Sequence, residues 1–173
     1  DFNNWLPTGA FHMNCSADST RWWLIVHGLQ PGQAYGYQYL ITNQGKYADP
    51  MSTLVLDPNN DPFINANTFP NLPAYPTGLT TGIVSVFYTT PSTYTWQNTS
   101  FTRPENKDLV IYELLVRDFV AARNYQTLID TIAYLDRLGI NAIELMPNFE
   151  FEGNESWGYN PSFHMALDKY YGT

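Results

Sequence analysis

The residues able to do chemistry in this chain fall into two groups, carboxylates and flat rings. Glu113 and Glu144 each sit inside a short apolar run, Glu150, Glu152 and Glu155 come next in a polar stretch, and Arg117 directly precedes Asp118. Carboxylates act as general acids, bases or nucleophiles when the fold brings two of them together. Strand alternation would send Glu113 and Glu144 either into an interior or toward a covering helix layer, so the expectation for each is a structural role with a buried polar partner. Arg117 and Asp118 are expected to form an ion pair, and Glu150, Glu152 and Glu155 to be solvated loop residues. His164 has no nearby partner of metal-ligating type, so no metal site is expected. Cys15 is the only cysteine, which excludes an intrachain disulfide.

The rings are abundant: 13 Tyr, 10 Phe and 5 Trp, 16% of the chain, against 14% charged residues. Rings beside many Asn and Gln side chains suit neutral, polyhydroxylated ligands, which offer both C–H faces and hydroxyls. The competing reading is that the rings fill a β-sheet core. Sixteen acidic against 8 basic side chains give a net charge of -8, which argues against a nucleic-acid partner. No apolar run approaches the ~20 residues of a membrane span. The first residues, Asp1 to Trp5, lack the regions of a signal peptide. The compartment is not fixed by the sequence; a secreted or periplasmic bacterial protein is favoured, with a cytoplasmic one as the alternative.

Two kinds of element must position these side chains. Trp22 to Val26 and Tyr35 to Ile41 read as strands flanking the turn signal Gln30-Pro31-Gly32-Gln33, which predicts a hairpin, with Trp22 or Trp23 in the core. Tyr35, Tyr37 and Tyr39 alternate onto one face, and Asn43-Gln44-Gly45 supplies a tight turn. Repeated prolines from Ala48 to Pro76 predict a looping segment, and Ile83 to Tyr88 a further strand. Ser92 to Lys107 is polar and irregular, and the domain boundary is placed within Phe101 to Lys107. Leu109 to Leu115 then forms a nearly continuous apolar run, as in buried parallel strands. Asn124 is an N-cap, Leu128, Ile129, Ile132, Leu135 and Leu138 lie at helical spacing, Gly139 stops the helix, and Ile140 to Met146 is a second apolar strand. Strand, helix and strand make a βαβ unit with parallel pairing.

Val110-Ile111-Tyr112-Glu113-Leu114, Arg117-Asp118-Phe119 and Leu138-Gly139-Ile140-Asn141-Ala142-Ile143-Glu144-Leu145-Met146-Pro147 resemble the opening of the catalytic barrel in the α-amylase superfamily. Trp157-Gly158-Tyr159-Asn160-Pro161 and Asp168-Lys169-Tyr170-Tyr171-Gly172 are similar to the loop after the second barrel strand of those enzymes. Before them, Asp1-Phe2-Asn3-Asn4-Trp5, Gly28-Leu29-Gln30-Pro31-Gly32, Tyr35-Gly36-Tyr37 and Tyr47-Ala48-Asp49-Pro50 resemble the immunoglobulin-like glycogen- and starch-binding modules. The resemblance implies a multi-domain chain, with an Ig-like all-β sandwich over 1–104 and the first βαβ unit of an incomplete (β/α)8 TIM barrel over 105–173, cut at both ends.

It also implies where the chemistry lies. Retaining glycoside cleavage needs two carboxyl groups about 5 to 5.5 Å apart, and the family carries its nucleophilic Asp, its acid/base Glu and a third, stabilising Asp at the ends of the fourth, fifth and seventh strands, beyond Thr173. No catalytic residue is therefore expected in the chain, and no cofactor, although the full-length enzyme would be a candidate for calcium. The implied partner is an α-glucan, handled by a retaining hydrolase or by a branching or debranching enzyme. The form Glu144-Leu145-Met146-Pro147 leans toward the latter two. A non-catalytic glucan-binding protein would explain the sandwich but not the barrel strands. By resemblance, Tyr159 stacks on the sugar, with Trp157 and His164 as further substrate contacts, although Gly158-Tyr159-Asn160-Pro161 also reads as a turn with a packed ring. Tyr47 and Trp5 are candidates for a secondary glucan surface, set against loss of that site in a spacer module. The unpaired edges of the barrel opening predict self-association.

Overall fold

A run of β-branched and aliphatic residues with a glutamate at its centre forms the strand that organises the C-terminal part. In the computed structural model, which describes residues 2–90 and 93–173, the architecture is β-rich, with small sheets and few helices. Asp1 of the N-terminal motif and Ser92 of the irregular segment lie outside the described residues.

In chain order the elements are β1 (Asn14–Cys15), β2 (Trp22–Trp23), β3 (Ala34–Tyr37), β4 (Tyr39–Ile41), β5 (Gly45–Tyr47), β6 (Leu54–Leu56), β7 (Val84–Tyr88), β8 (Ile111–Leu114), α1 (Val116–Phe119), α2 (Tyr125–Arg137), β9 (Ala142–Leu145), β10 (Phe149–Phe151) and β11 (Pro161–Leu167). Short 3-10 turns lie at Asp61–Phe63 and Lys169–Tyr171.

The βαβ expectation is met. Strands β8 and β9 pair in parallel, with Ile111 opposite Ala142 and Leu114 opposite Leu145. Asn124 caps α2, its side chain accepting from Thr127 N at 2.8 Å. At the other end Gly139, at φ 79°, takes the left-handed conformation. There Ile140 N donates to Leu135 O at 3.1 Å and Gly139 N to Asp136 O at 2.9 Å, the paired bonds of a Schellman stop. Leu114, Leu128, Leu135, Phe151 and Tyr171 form one buried cluster, which ties β8, α2, β10 and the last 3-10 turn together.

The N-terminal part differs from the sequence expectation in one connection. Strands β3, β7 and β6 form an antiparallel sheet in that order, with Tyr35 opposite Phe87, while β2 pairs with β1. Trp22–Val26 and Tyr35–Ile41 are therefore not partners. The turn between them is present, but side chains occupy its backbone groups. Gln30 N donates to Tyr35 Oη at 2.9 Å, and Gln30 O accepts from Thr89 Oγ1 at 2.7 Å. Trp22 and Trp23 are also not core residues: they are 59% and 48% exposed, because β1–β2 is a two-residue pairing outside both buried clusters. The predicted turn at Asn43-Gln44-Gly45 joins β4 to β5, and the three tyrosines share a face through ring contacts from Tyr35 to Phe87, Tyr37 to Phe87 and Tyr37 to Tyr39.

Candidate functional site

The C-terminal ends of β8 and β9 lead directly into the segments that frame an exposed aromatic loop. After β8 the chain turns through α1, and after β9 it passes Pro147 into the β10–β11 hairpin, whose connection runs from 152 to 160. Parallel strands present their C-terminal ends as the natural seat for a ligand-binding loop.

Gly158 fixes the seat of this loop. It has φ 88°, and a Cβ built on it would collide with Pro147 O, so the loop backbone rests directly on the chain leaving β9. Only glycine fits such a contact. The residues on either side project outward: Trp157 is 63% exposed and Tyr159 66% exposed. Ser156 braces the turn, its Oγ accepting from Gly158 N at 3.0 Å and bonding to Asn160 Oδ1. From the α1 side, Arg117 donates to Ser156 O at 3.4 Å while paired with Asp118 at 2.7 Å, as expected of that pair. Arg123 meets Glu155 at 3.0 Å. From the N-terminal part, Asn60 O accepts from Asn154 Nδ2 at 2.8 Å.

His164 is exposed on β11, its ring edge-on to Phe149 with 6.2 Å between centroids, and so belongs to the hairpin body rather than to the loop. Tyr47 lies opposite Tyr39 across β4–β5 and is 47% exposed. Trp5 is half-buried against Leu56, Val84 and Val86, beside Gly36, which makes it a packing ring of the β3–β7–β6 sheet. The two sugar-contact candidates of the N-terminal part therefore do not share one surface feature.

Two carboxylate expectations need correction. Glu113 and Glu144 are exposed and lie directly opposite each other on β8 and β9, because the face they occupy has no covering layer among the described residues. Glu150 is not solvated but 8% exposed, on β10, where its carboxylate bonds to the Lys169 ammonium. Glu152 and Glu155 are exposed as expected.

Lys169 was visible in the sequence only as part of a motif. It is 2% exposed and meets Glu150 on one side and Asp61 Oδ1 at 3.3 Å on the other. Asp168, also 2% exposed, accepts from Phe151 N at 3.2 Å and Tyr170 N at 2.9 Å. Burial pushes the Glu150 carboxyl up to about 7, against the pull of Lys169, and the Asp168 carboxyl up to about 6, against its backbone donors. Burial raises Asp61 as well. The signal in the sequence was a lysine set among Asp168, Tyr170 and Tyr171 at the end of an apolar strand, where a cation must find buried counter-charges.

The arrangement presents two exposed rings on a loop braced by Ser156, Arg117 and Asn60. Among the described residues no group of three or more His, Cys, Asp or Glu side chains is placed to hold a metal ion, and no helix is long and apolar enough to cross a membrane.

No protein-family model matches the chain. Curated relatives do. It is 34% identical over 79 residues to the malto-oligosyltrehalose trehalohydrolase of Saccharolobus solfataricus, a match covering 46% of this chain and 14% of that protein. It is 29% identical over 154 residues to the chloroplastic isoamylase 1 of Arabidopsis thaliana, covering 80% of this chain and 19% of that one. Among solved structures, a Salmonella typhimurium protein described as an alpha amylase superposes with a TM-score of 0.63 at 25% identity, over 93% of this chain and 23% of that chain. The chain thus spans between 14% and 19% of the length of the two curated relatives named.

Proposed function

We propose that the chain is part of an α-amylase superfamily enzyme, a reading supported by its isoamylase and trehalohydrolase relatives, and that it is the substrate-presenting portion of a retaining glycoside hydrolase acting on α-glucans. The observation that carries this reading is the pair of exposed rings, Trp157 and Tyr159, on a loop seated at the C-terminal ends of two parallel strands. In this reading residues 105–173 are the opening βαβ unit of a (β/α)8 barrel, and residues 1–104 are an Ig-like glucan-binding-type module packed on it. Tyr159 covers the C–H face of a pyranose and orients it, while the attacking and protonating carboxylates belong to later strands of the full-length enzyme. Trp157 flanks that platform, His164 is a further contact candidate on the hairpin body, and Tyr47 is the candidate glucan contact of the N-terminal module. We assign no cofactor to the chain and leave any calcium requirement to the full-length enzyme.

A debranching specificity of the isoamylase kind is the second reading, favoured by the isoamylase match over 80% of the chain and by the Glu144-Leu145-Met146-Pro147 form. Apolar side chains exposed on both faces of the β8–β9 pair, Ile111 at 55% on one and Ile143 at 39% on the other, favour self-association of the isolated chain.

The test is migration of the chain in a native gel containing glycogen, with parallel incubation on soluble starch and pullulan. Retarded migration without release of reducing ends is expected. Unaltered migration, or turnover that vanishes on changing a carboxylate of this chain, contradicts the proposal.

A further inference from the structure

The buried charges around Lys169 lie where three separate segments meet. Asp61 comes from the 3-10 turn of the N-terminal part, Glu150 from β10, and Lys169 itself from the turn after β11. The side chains of Asp61 and Glu150 are 9% and 10% exposed, and that of Lys169 is 2% exposed. Asp61 Oδ2 also accepts from Asp57 N at 2.8 Å, which fixes its carboxylate to the turn. Among the described residues, the other ionisable groups coupled to the cluster are Asp168, held by Phe151 N and Tyr170 N, Asp57, whose charge acts on Asp61, Tyr75, which couples to Asp57, and Tyr125 of α2 and Tyr171, both of which feel the charge of Asp168. One ammonium thus serves several buried carboxyl groups.

The same segments hold the aromatic loop. Asn60, next to Asp61, accepts from Asn154 in the loop. Gly172 sits against Thr68 O, 2.8 Å from where its Cβ would be, so the end of the Lys169 turn is also pressed onto the N-terminal part. Removing the ammonium would leave buried carboxylates without counter-charge, which is strongly destabilising locally and drives the segments apart.

We propose that Lys169 is a positioning residue: by bridging Asp61 and Glu150 it clamps the β10–β11 hairpin onto the Asp57–Thr68 segment and so fixes the loop that presents Trp157 and Tyr159. This deepens the functional reading above and rests on it only for what the rings bind. The clamp makes the sugar platform dependent on the N-terminal part, which therefore acts as a brace for the loop rather than as a tethered neighbour.

Hydrogen exchange of the full 173-residue chain tests this without any sugar. Rates for Lys169→Met and Asp61→Asn are each divided by the wild-type rates at the same pH, at pH 5 and pH 8. At pH 8 the amides of 152–160, Asp61 and Phe63 are expected to exchange about tenfold faster in Lys169→Met, with a smaller gain in Asp61→Asn. At pH 5 the gain shrinks to about twofold or less, because carboxyls whose affinity for protons is raised by burial take up protons once the ammonium is gone. The amides of α2 stay unchanged. A gain shared equally by α2, a gain independent of pH, or no gain in the loop overturns the proposal. If Lys169→Met does not fold, the Asp61→Asn comparison decides by the same criteria. Glucan binding plays no part in these outcomes, so failure of the clamp and failure of the α-glucan reading are separately visible.

Discussion

Gly158 and Tyr159 illustrate how one residue can be required for shape and its neighbour for contact. Gly158 has a backbone conformation that disfavours any Cβ and a carbonyl at the place where that Cβ would sit. Gly158→Ala is therefore expected to destabilise the chain by at least ~2 kcal/mol, read as a lower urea midpoint, since neither the backbone of Pro147 nor that of the loop can yield cheaply. An unchanged midpoint would mean that the loop does not rest on Pro147. The role of Tyr159 as a sugar platform comes from resemblance to a family motif, whereas its 66% exposure comes from this fold. Residue types alone misplaced Glu150. A glutamate in a polar stretch reads as solvated, and only the arrival of Lys169 from the far end of β11 makes its burial tolerable. Glu113 and Glu144 erred in the opposite direction, because an apolar run predicts burial only where a second layer exists to cover it.

At the level of elements, the local signals were strong where they were self-contained. Asn124 caps α2 and Gly139 ends it through contacts within a few residues, so both ends were legible in the sequence. The β3–β7 pairing was not, because its partners are separated by the whole proline-rich segment and the turn signal before β3 is closed by the side chains of Tyr35 and Thr89 rather than by a hairpin partner. The β10–β11 hairpin carries a pH dependence of its own. Folding raises the Glu150 carboxyl from 4.5 to about 7 and the Asp168 carboxyl from 3.8 to about 6. The folded state thus binds protons more tightly than the unfolded chain. The stabilisation this gives is fully present below the unfolded values and is lost as pH rises through about 6 to about 7. The melting temperature should accordingly fall between pH 5 and pH 8, and Glu150→Gln, which cannot titrate, should flatten that fall. An equally steep profile in the variant would show that Glu150 is not its source.

Across the whole molecule, the β-rich N-terminal part and the βαβ unit are joined by specific contacts rather than by a linker alone. Asn154 reaches Asn60, Lys169 reaches Asp61, and Gly172 closes on Thr68. The division into two parts was expected from the sequence because the change from turn-rich strands to apolar runs with a helix between them is a change in pattern. The sequence could not show that they interlock, because each interlocking contact joins residues with no local relation. Such interlocking gives a platform built by one part and braced by the other, and the central claim is that this platform receives an α-glucan. The most direct measurement is a titration of the full chain with maltoheptaose, monitored by the intrinsic fluorescence change of Trp157 against a Trp157→Phe reference, in the wild type and in Tyr159→Ala. Saturable binding that weakens at least about tenfold in Tyr159→Ala, with the unfolding free energy unchanged to within ~0.5 kcal/mol, is the predicted result. Binding of equal strength in the two proteins, or none in the wild type, would contradict it.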